Sequence, residues 1–287
     1  MQKKRLQSPS SINTYKQCPR KYYYKYVLEL PTKATIQQVR GKIAHSVLED
    51  FFDLDAAQVT FDTCEQQLAQ RMQELLVAHW ERNRDLIRSF GLHKDQETFY
   101  FSETMMMLLN WLQQFITRLR QHSGPFPEAF RRLTPRREER YLSEEHHVQG
   151  FIDAIEEVDG RVHITDYKTG TAIEVNGEYR LQLGIYALLY HEKHGALPHQ
   201  ASVFFLRSTP KYIPVDESLL EEARQEIRAI HLNTRSGDID DYPLRPGPLC
   251  RWCDFYKLCF EQKTVAEFRA EPQTAAPAVQ LRQQQDC

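Results

Sequence analysis

Between residues 148 and 170, apolar positions alternate with polar ones on both sides of an Asp-Gly dipeptide, in the stretch VQGFIDAIEEVDGRVHITDYKTG. A period of two predicts β-strands, and Asp-Gly favours the tight two-residue turn of a hairpin. Elsewhere, apolar spacing predicts helices over 38–54, 178–194 and about 216–233, two more between 60 and 122, and short strands at 141–145, 203–206 and 212–215. Together these elements indicate a sheet with helices packed on it.

The predicted hairpin brings two carboxylates together. If the Asp-Gly dipeptide is the whole loop, Asp153 lies directly opposite Asp166, and Lys168 projects from the same face. Facing like charges destabilise a sheet, so the pair indicates a divalent cation held between the carboxylates, beside an amine. The alternative is a solvated charged face, which fits poorly because apolar side chains share that face. A shift of one residue in the register would place the carboxylates on opposite faces.

Composition restricts the class of protein. With 287 residues, of which 41% are hydrophobic and 26% charged, the chain is typical of one large globular domain or a domain with an insertion. The net charge is −2, so binding of nucleic acid has to come from local basic patches. No apolar run approaches the ~18 residues that span a bilayer, and no export signal is visible. We therefore expect a cytoplasmic protein without membrane association.

One basic patch is the stretch RKYYYKYVLEL, residues 20–30, in which cations are interleaved with tyrosines. Arg20, Lys21 and Tyr22 are candidates for binding a DNA strand through phosphate contacts and base stacking. The same pattern fits tyrosines that pack on one side of a helix while the cations are solvated. The sequence leaves both interpretations open.

Three of the six cysteines crowd into one short segment, as Cys250, Cys253 and Cys259. This spacing suits metal ligation in a reducing compartment better than a disulfide framework. A tetrahedral ion or a cubane cluster needs a fourth thiolate. Cys18 is the natural candidate, although spacing does not select it over Cys64. Structural zinc and an iron–sulfur cluster are both open on these residues alone.

Taken in their order along the chain, the motifs resemble those of the RecB-like branch of the PD-(D/E)XK nuclease superfamily. The hairpin resembles the catalytic signature, with Asp153 followed by DYKTG at 166–170. The segment GKIAHSVLE around His45 resembles the histidine motif of that branch, and YRLQLGIYALLY its Gln-x3-Tyr motif, as Gln182 and Tyr186. One early and three late cysteines resemble the iron–sulfur members, such as the AddB nuclease domain and the CRISPR-adaptation nuclease.

The resemblance implies a role for each motif. It implies a site for Mg2+ or Mn2+ with these ligands: His45, Asp153, Asp166 and the backbone carbonyl of Tyr167. It implies these catalytic residues: Asp153, Asp166, Lys168 and Gln182. Lys168 would position or activate the attacking water, Gln182 would orient Lys168 or the nearby backbone, and Tyr186 would face the DNA. It also implies a structural 4Fe-4S cluster, with structural Zn2+ as the alternative, on four thiolates: Cys18, Cys250, Cys253 and Cys259.

The implied fold is α/β, with a restriction-endonuclease-like core in which a central mixed β-sheet is flanked by helices. A helical insertion and a C-terminal cysteine-rich iron–sulfur clasp would be added to that core. The expected segments are N-terminal helices of the core (1–55), a helical insertion (56–135), the nuclease core with the active site (136–235), a cysteine-rich segment (236–265) and a disordered tail (266–287).

The implied function is metal-dependent hydrolysis of DNA phosphodiester bonds. We expect a DNA exonuclease, with endonuclease action left open, that works on single strands or DNA ends in DNA repair, recombination or CRISPR adaptation. A helicase or a CRISPR integrase would be its protein partner. The alternative is a non-catalytic iron–sulfur module that binds DNA for a helicase. The enzyme is favoured because the chain retains the motif residues His45, Asp153, Asp166, Lys168 and Gln182.

Overall fold

In the computed structural model, which describes residues 5–270, a five-stranded mixed sheet forms the centre. Its strands are β1 (Arg136–Ser143), β2 (Val148–Val158), β3 (Arg161–Lys168), β4 (Gln200–Phe205) and β5 (Pro210–Pro214). They lie side by side in chain order, and all neighbours are antiparallel except β3 and β4, which are parallel. A parallel pair needs a crossover connection, which the helix between β3 and β4 provides.

Helices surround this sheet within the described residues. They are α1 (Pro9–Gln17), α2 (Pro19–Tyr22), α3 (Ile36–Phe51), α4 (Cys64–Arg82), α5 (Arg84–Ser89), α6 (Lys94–Leu119), α7 (Phe126–Leu133), α8 (Gly177–His194), α9 (Glu217–Asn233), α10 (Tyr256–Phe260) and α11 (Val265–Ala270). Side-chain caps fix where several begin: Ser8 accepts a hydrogen bond from the Ser11 amide at α1, and Asp216 accepts one from the Leu219 amide at α9.

The sheet separates two buried apolar cores. On one face, α3, α4, α6 and α7 pack against sheet residues that include Tyr167 and Phe204. On the other face, α8, α9 and the N-terminal tyrosines pack against residues that include Ile155 and Ile164. Region 56–135, expected as an insertion, therefore shares a continuous core with the sheet. A mixed sheet with helices on both faces fits the restriction-endonuclease-like core that the resemblance implied.

The C-terminal segment differs in part from expectation. The tail predicted as disordered from residue 266 begins inside α11 (Val265–Ala270), where Phe268 is buried. Residues 271–287, with Cys287, lie outside those described. Between residues 5 and 270, no helix has the length and apolar character that crossing a bilayer demands.

Candidate active site

The β2–β3 hairpin has the register that the sequence predicted. Its Asp-Gly dipeptide forms the loop, with φ angles of 53° and 72°, the left-handed conformation that such a turn requires. Val158 pairs with Arg161 across the turn. The same register, continued along the strands, brings Asp153 next to Asp166, and both side chains are buried. The prediction of a two-residue turn is confirmed.

The backbone of β3 fixes Asp153. Regular pairing of the two strands ends at Ala154, and the Asp153 carboxylate beside it accepts a 2.6 Å hydrogen bond from the amide of Tyr167. Burial disfavours the charged carboxylate, but nearby His45 and Lys168, together with this amide, hold the pKa of Asp153 below its ordinary value. Asp153 is therefore an ionised, oriented oxygen donor at neutral pH.

A third carboxylate, Glu138 on β1, meets this pair from the other side. Arg137 pairs with Ala154 and Glu139 with Ile152, so Glu138 falls opposite Asp153. Its φ of 49° departs from strand geometry where regular pairing is interrupted. Sequence analysis missed Glu138. The available signal was an acidic residue one strand before the hairpin, but the predicted strand began only at residue 141.

His45 reaches the carboxylates from α3, which is held in place at its start by a Thr35 cap. Its Nε2 lies 3.0 Å from the carbonyl oxygen of Tyr167. Its Nδ1 lies 3.5 Å from Asp153 Oδ1 and 3.8 Å from Glu138 Oε1. One donor atom each of His45, Glu138 and Asp153 lies within 4.8 Å of the others. They border a cavity of about 10 Å3, the room that one water or one ion needs.

Asp166 stands beside this group and is held by two side chains. Gln182 Nε2 on α8 donates a 2.8 Å hydrogen bond to its Oδ1. Lys168 Nζ lies 2.9 Å from its Oδ2, close enough for an ion pair but without the alignment of a hydrogen bond. Burial, with a contribution from neighbouring Asp153, raises the pKa of Asp166 to about 6, although Lys168 opposes the shift. The two carboxylates of the hairpin thus differ in how readily they ionise.

Tyr186 does not face solvent, contrary to its predicted contact with DNA. Its side chain is buried, and its hydroxyl accepts a 2.7 Å hydrogen bond from Gln182. Gly150 on β2 makes room for the ring, because a Cβ there would lie 2.7 Å from Tyr186 Cε1. In the Gln-x3-Tyr motif, Gln182 therefore joins Asp166 to the buried hydroxyl of Tyr186. The structure corrects the predicted role of Tyr186.

The predicted contact of Tyr22 with DNA is also corrected. It is fully buried and its hydroxyl accepts a 2.9 Å hydrogen bond from Gln7, so the packing interpretation holds for this ring. Arg20 donates through Nε to the carbonyl of Tyr242 at 2.8 Å, and Lys21 donates to Gln17 at 2.9 Å. Both cations are only partly buried, so a contact of Arg20 or Lys21 with DNA stays a prediction.

Four cysteines converge where the two ends of the described chain meet. The pKa of Cys259 is raised to about 11, first by burial and then by the neighbouring thiols of Cys253, Cys18 and Cys250. A backbone amide, that of Gly247, donates to Cys250 Sγ at 3.2 Å. Within residues 5–270, no three of these sulfur atoms lie mutually within 4.8 Å.

Cys64 lies apart from this group. It is buried in the core beside α3 and α6, and its thiol donates to the carbonyl of Phe61 at 3.3 Å. Proximity in the fold thus distinguishes Cys18 from Cys64, which spacing in the sequence did not.

Comparison with known proteins places this geometry in a family. The PD-(D/E)XK nuclease superfamily matches residues 7–260 of the chain. The crystal structure of a candidate exonuclease from Eubacterium rectale is 12% identical, with 87% of each chain covered and a TM-score of 0.47. That of SSO0001 is 14% identical, with 78% of this chain and 100% of that one covered and a TM-score of 0.30. No curated protein matches. Since the family match spans most of its length, the chain belongs to the PD-(D/E)XK nuclease superfamily.

Proposed function

We propose that this nuclease is a metal-dependent enzyme that hydrolyses phosphodiester bonds of DNA, on single strands or at DNA ends. The observation that carries the proposal is the convergence of His45, Glu138 and Asp153 around an ion-sized cavity, beside Asp166 and Lys168. DNA repair, recombination and CRISPR adaptation are its candidate pathways, with a helicase or an integrase as candidate partner. The cytoplasmic location stays a prediction.

The donor set fits a divalent cation. Carboxylate oxygens are the ligands of Mg2+ and Mn2+, and an imidazole shifts the preference toward Mn2+. Asp166 Oδ2 is buried and lies 2.9 Å from the Lys168 ammonium, so a cation bound here would share this oxygen with Lys168. We assign His45, Glu138 and Asp153 as ligands, with Asp166 and the Tyr167 carbonyl as the other candidates. A cation held there would act as a Lewis acid on the scissile phosphate and on the attacking water.

Lys168 would act on the phosphate from the other side of Asp166. Its ammonium group is held 2.9 Å from Asp166 Oδ2 and 5.5 Å from the centre of the Tyr179 ring. A cation in this position can orient the attacking water and stabilise the negative charge that develops on the phosphate. Gln182 keeps Asp166 in place and thereby positions Lys168 through Asp166.

Cleavage of end-labelled single-stranded DNA under Mn2+ tests the proposal. Asp166→Ala and Lys168→Ala should each lower the rate by about 100-fold or more, the usual range for loss of a catalytic group. Asp166→Ala should keep DNA binding largely intact. The matched control is Asp159→Asn, which removes a carboxylate from the exposed hairpin turn but suits its left-handed backbone, and it should cut like wild type. The polarity of the products would also show which end is attacked.

Two outcomes would contradict the enzyme. Wild-type protein that binds DNA with its cysteine site intact but cuts none under Mg2+ or Mn2+ would favour the non-catalytic binding module. Equal rates in wild type and Asp166→Ala would place the cleavage elsewhere, in another part of the chain or in a contaminant.

We further propose that the four converging cysteines hold a structural 4Fe-4S cluster. The thiols of Cys253, Cys18 and Cys250 lie near enough to Cys259 to raise its pKa, which fits four ligands of one centre. A tetrahedral zinc ion is the alternative occupant. The Gly247 amide that donates to Cys250 Sγ is a hydrogen bond of the kind that tunes such clusters. Anaerobically purified protein should absorb broadly near ~400 nm, whereas a colourless protein with stoichiometric zinc would refute the cluster.

A further inference from the structure

A second cleft lies on the other side of β3 from Asp166. Thr165 and Tyr167 flank Asp166 in the strand, so their side chains project to the opposite face of the sheet. There, residues of α6 and of strands β2 to β5 line an open cavity of about 270 Å3. That volume is slightly below the usual range for drug-sized ligands and suits one small planar molecule.

Flat rings form the walls of this cleft. Trp111 and Phe115 on α6 stack with ring centres 5.1 Å apart and planes 9° from parallel. Tyr167 and Phe204 face them from the sheet. At the mouth, Tyr212 is 51% exposed, and its ring centre lies 5.2 Å from that of His163. Aromatic walls of this kind bind a planar ligand by stacking.

Hydroxyl and imidazole groups form the polar part of the lining. Thr165 and Ser202 are buried on neighbouring strands with their hydroxyl oxygens 3.1 Å apart, and His163 Nε2 lies 3.1 Å from the Ser202 oxygen. Burial lowers the pKa of His163, so its ring is neutral at pH 7. A hydroxyl has one donor and two acceptor positions, and a neutral imidazole has one of each. The cleft can therefore both donate to and accept from one ligand edge.

The charge at the cleft disfavours an anionic ligand group. The guanidinium of Arg118, which lines the cleft, already donates to Glu156 Oε1 at 3.0 Å, so this pair adds no net charge to the cleft. Phosphate binding needs surplus positive charge, and the lining supplies none. Planar walls, mixed donors and acceptors, and electrical neutrality together describe a site for an uncharged heterocycle.

We propose that this cleft binds a nucleobase. The base belongs either to a DNA strand, in which case the inference rests on the proposed nuclease function, or to a free nucleoside or nucleotide, in which case it does not. The chemistry of recognition is the same for both sources: stacking against the exposed ring of Tyr212, and hydrogen bonds from the base edge to Thr165 and His163.

Calorimetric titration of the full chain, without added Mg2+ or Mn2+, tests this site separately from cleavage. The probes are the four deoxynucleosides, their 5′-monophosphates, 2-deoxyribose 5-phosphate and a short single-stranded oligonucleotide. Tyr212→Ala should weaken binding by about 5- to 150-fold, the measured range for loss of one stacking ring. Thr165→Val, which keeps the side-chain shape but removes the hydroxyl, should also weaken it. Phe99→Ala, at an equally exposed ring outside the cleft, is the control.

The outcomes separate the sources and the alternatives. Nucleosides that bind while the sugar phosphate does not would support a site for free bases. If Tyr212→Ala weakens the binding of the oligonucleotide only, the cleft binds a base of a DNA strand. Unchanged affinity for every probe in both Tyr212→Ala and Thr165→Val would overturn the proposal. Because the titration is made without Mg2+ or Mn2+ and measures no cleavage, a failed nuclease and a failed base site give different results.

Discussion

The side-chain amide of Gln182 donates to Asp166 Oδ1 at 2.8 Å and to the hydroxyl of Tyr186 at 2.7 Å. It therefore joins a carboxylate of the sheet to a buried ring one helical turn further along α8. Asp166 would otherwise have a buried oxygen without a partner, at a cost of about 1–3 kcal/mol. The orientation of the carboxylate thus depends on a residue of α8, a helix that carries none of the proposed ligands His45, Glu138 and Asp153.

Gln182→Leu removes this support while keeping a side chain of similar size. Loss of such a supporting hydrogen bond typically lowers metal affinity or activity by about 10- to 100-fold. We expect the Mn2+ concentration for half-maximal cleavage to rise by that factor. Tyr186→Phe is the matched variant, because it removes only the hydroxyl and leaves the bond to Asp166. An equal rise of this Mn2+ concentration in the two variants would mean that the hydrogen bond from Gln182 to Asp166 adds nothing to metal binding.

Glu138→Gln tests the ligand that the sequence did not reveal. A neutral amide is a weaker ligand for a hard cation than a carboxylate, so we expect half-maximal cleavage to need at least ~10-fold more Mn2+. Glu139→Gln is the control, since Glu139 contacts Arg136 and the hydroxyl of Tyr141 instead of the ion-sized cavity. A Glu138→Gln protein with wild-type metal dependence would remove Glu138 from the ligand set.

Glu138 also shows what a single sequence can and cannot predict here. The hairpin was predictable because Asp159-Gly160 specifies its own turn, and the turn specifies which residues face each other. Glu138 instead acquires its place from the pairing of β1 with β2, whose connection has no comparable turn signal. Its φ of 49° departs from strand geometry at the position that matters, so no alternation pattern marks it.

The tyrosines near the N-terminus were ambiguous for a different reason. A tyrosine ring beside cations suits both a core and a DNA strand, and only tertiary contacts decide between them. Tyr22 stacks on Tyr242, which lies 220 residues later, with ring planes 9° apart. Contacts over such a separation leave no trace in local periodicity.

The raised pKa of Asp166 predicts an unusual dependence of stability on pH. Its ordinary value is 3.8 and its folded value about 6, so between these pH values the folded protein holds a proton that the unfolded chain releases. The stabilisation that this proton provides is present below about pH 4 and is lost as the pH rises through about 6. The pKa of Asp153 is lowered, so its ionised carboxylate stabilises the folded protein above about pH 4. This stabilisation is lost as the pH falls below about 4.

Urea unfolding of wild type and Asp166→Asn, without Mg2+ or Mn2+, measures this effect. The variant lacks the titrating group, so its free energy of unfolding should gain on that of wild type between pH 4.5 and 6 and stay level above. Asp159→Asn, at an exposed position in the turn, should show a constant difference. A free energy of unfolding of Asp166→Asn that falls relative to that of wild type as the pH rises would show that the carboxyl is not destabilised by burial.

The cysteine site predicts a contrast between two cysteines that the sequence could not distinguish. Cys18→Ala should lose the absorbance near ~400 nm and lower the stability, because the proposed cluster would need four thiolates and would join the two ends of the described chain. Cys64→Ala, at the buried start of α4, should keep the colour. Iron content and absorbance of the two purified variants measure the result. Full iron occupancy in Cys18→Ala would assign the fourth ligand elsewhere.

Gly150→Ala tests the packing that keeps Tyr186 behind the site. A methyl group at residue 150 would lie 2.7 Å from the buried Tyr186 ring and 3.2 Å from Leu189 Cδ1, so one of them has to move. Overpacking of this kind costs about 1–3 kcal/mol, measured as a lower urea midpoint. Gly177→Ala is the control: its Cβ meets no atom within 4 Å, and in the first turn of α8 an alanine should be neutral or stabilising. If Gly150→Ala were as stable as Gly177→Ala yet cut DNA more slowly, the displaced ring would be acting through Gln182 on Asp166 without disturbing the fold.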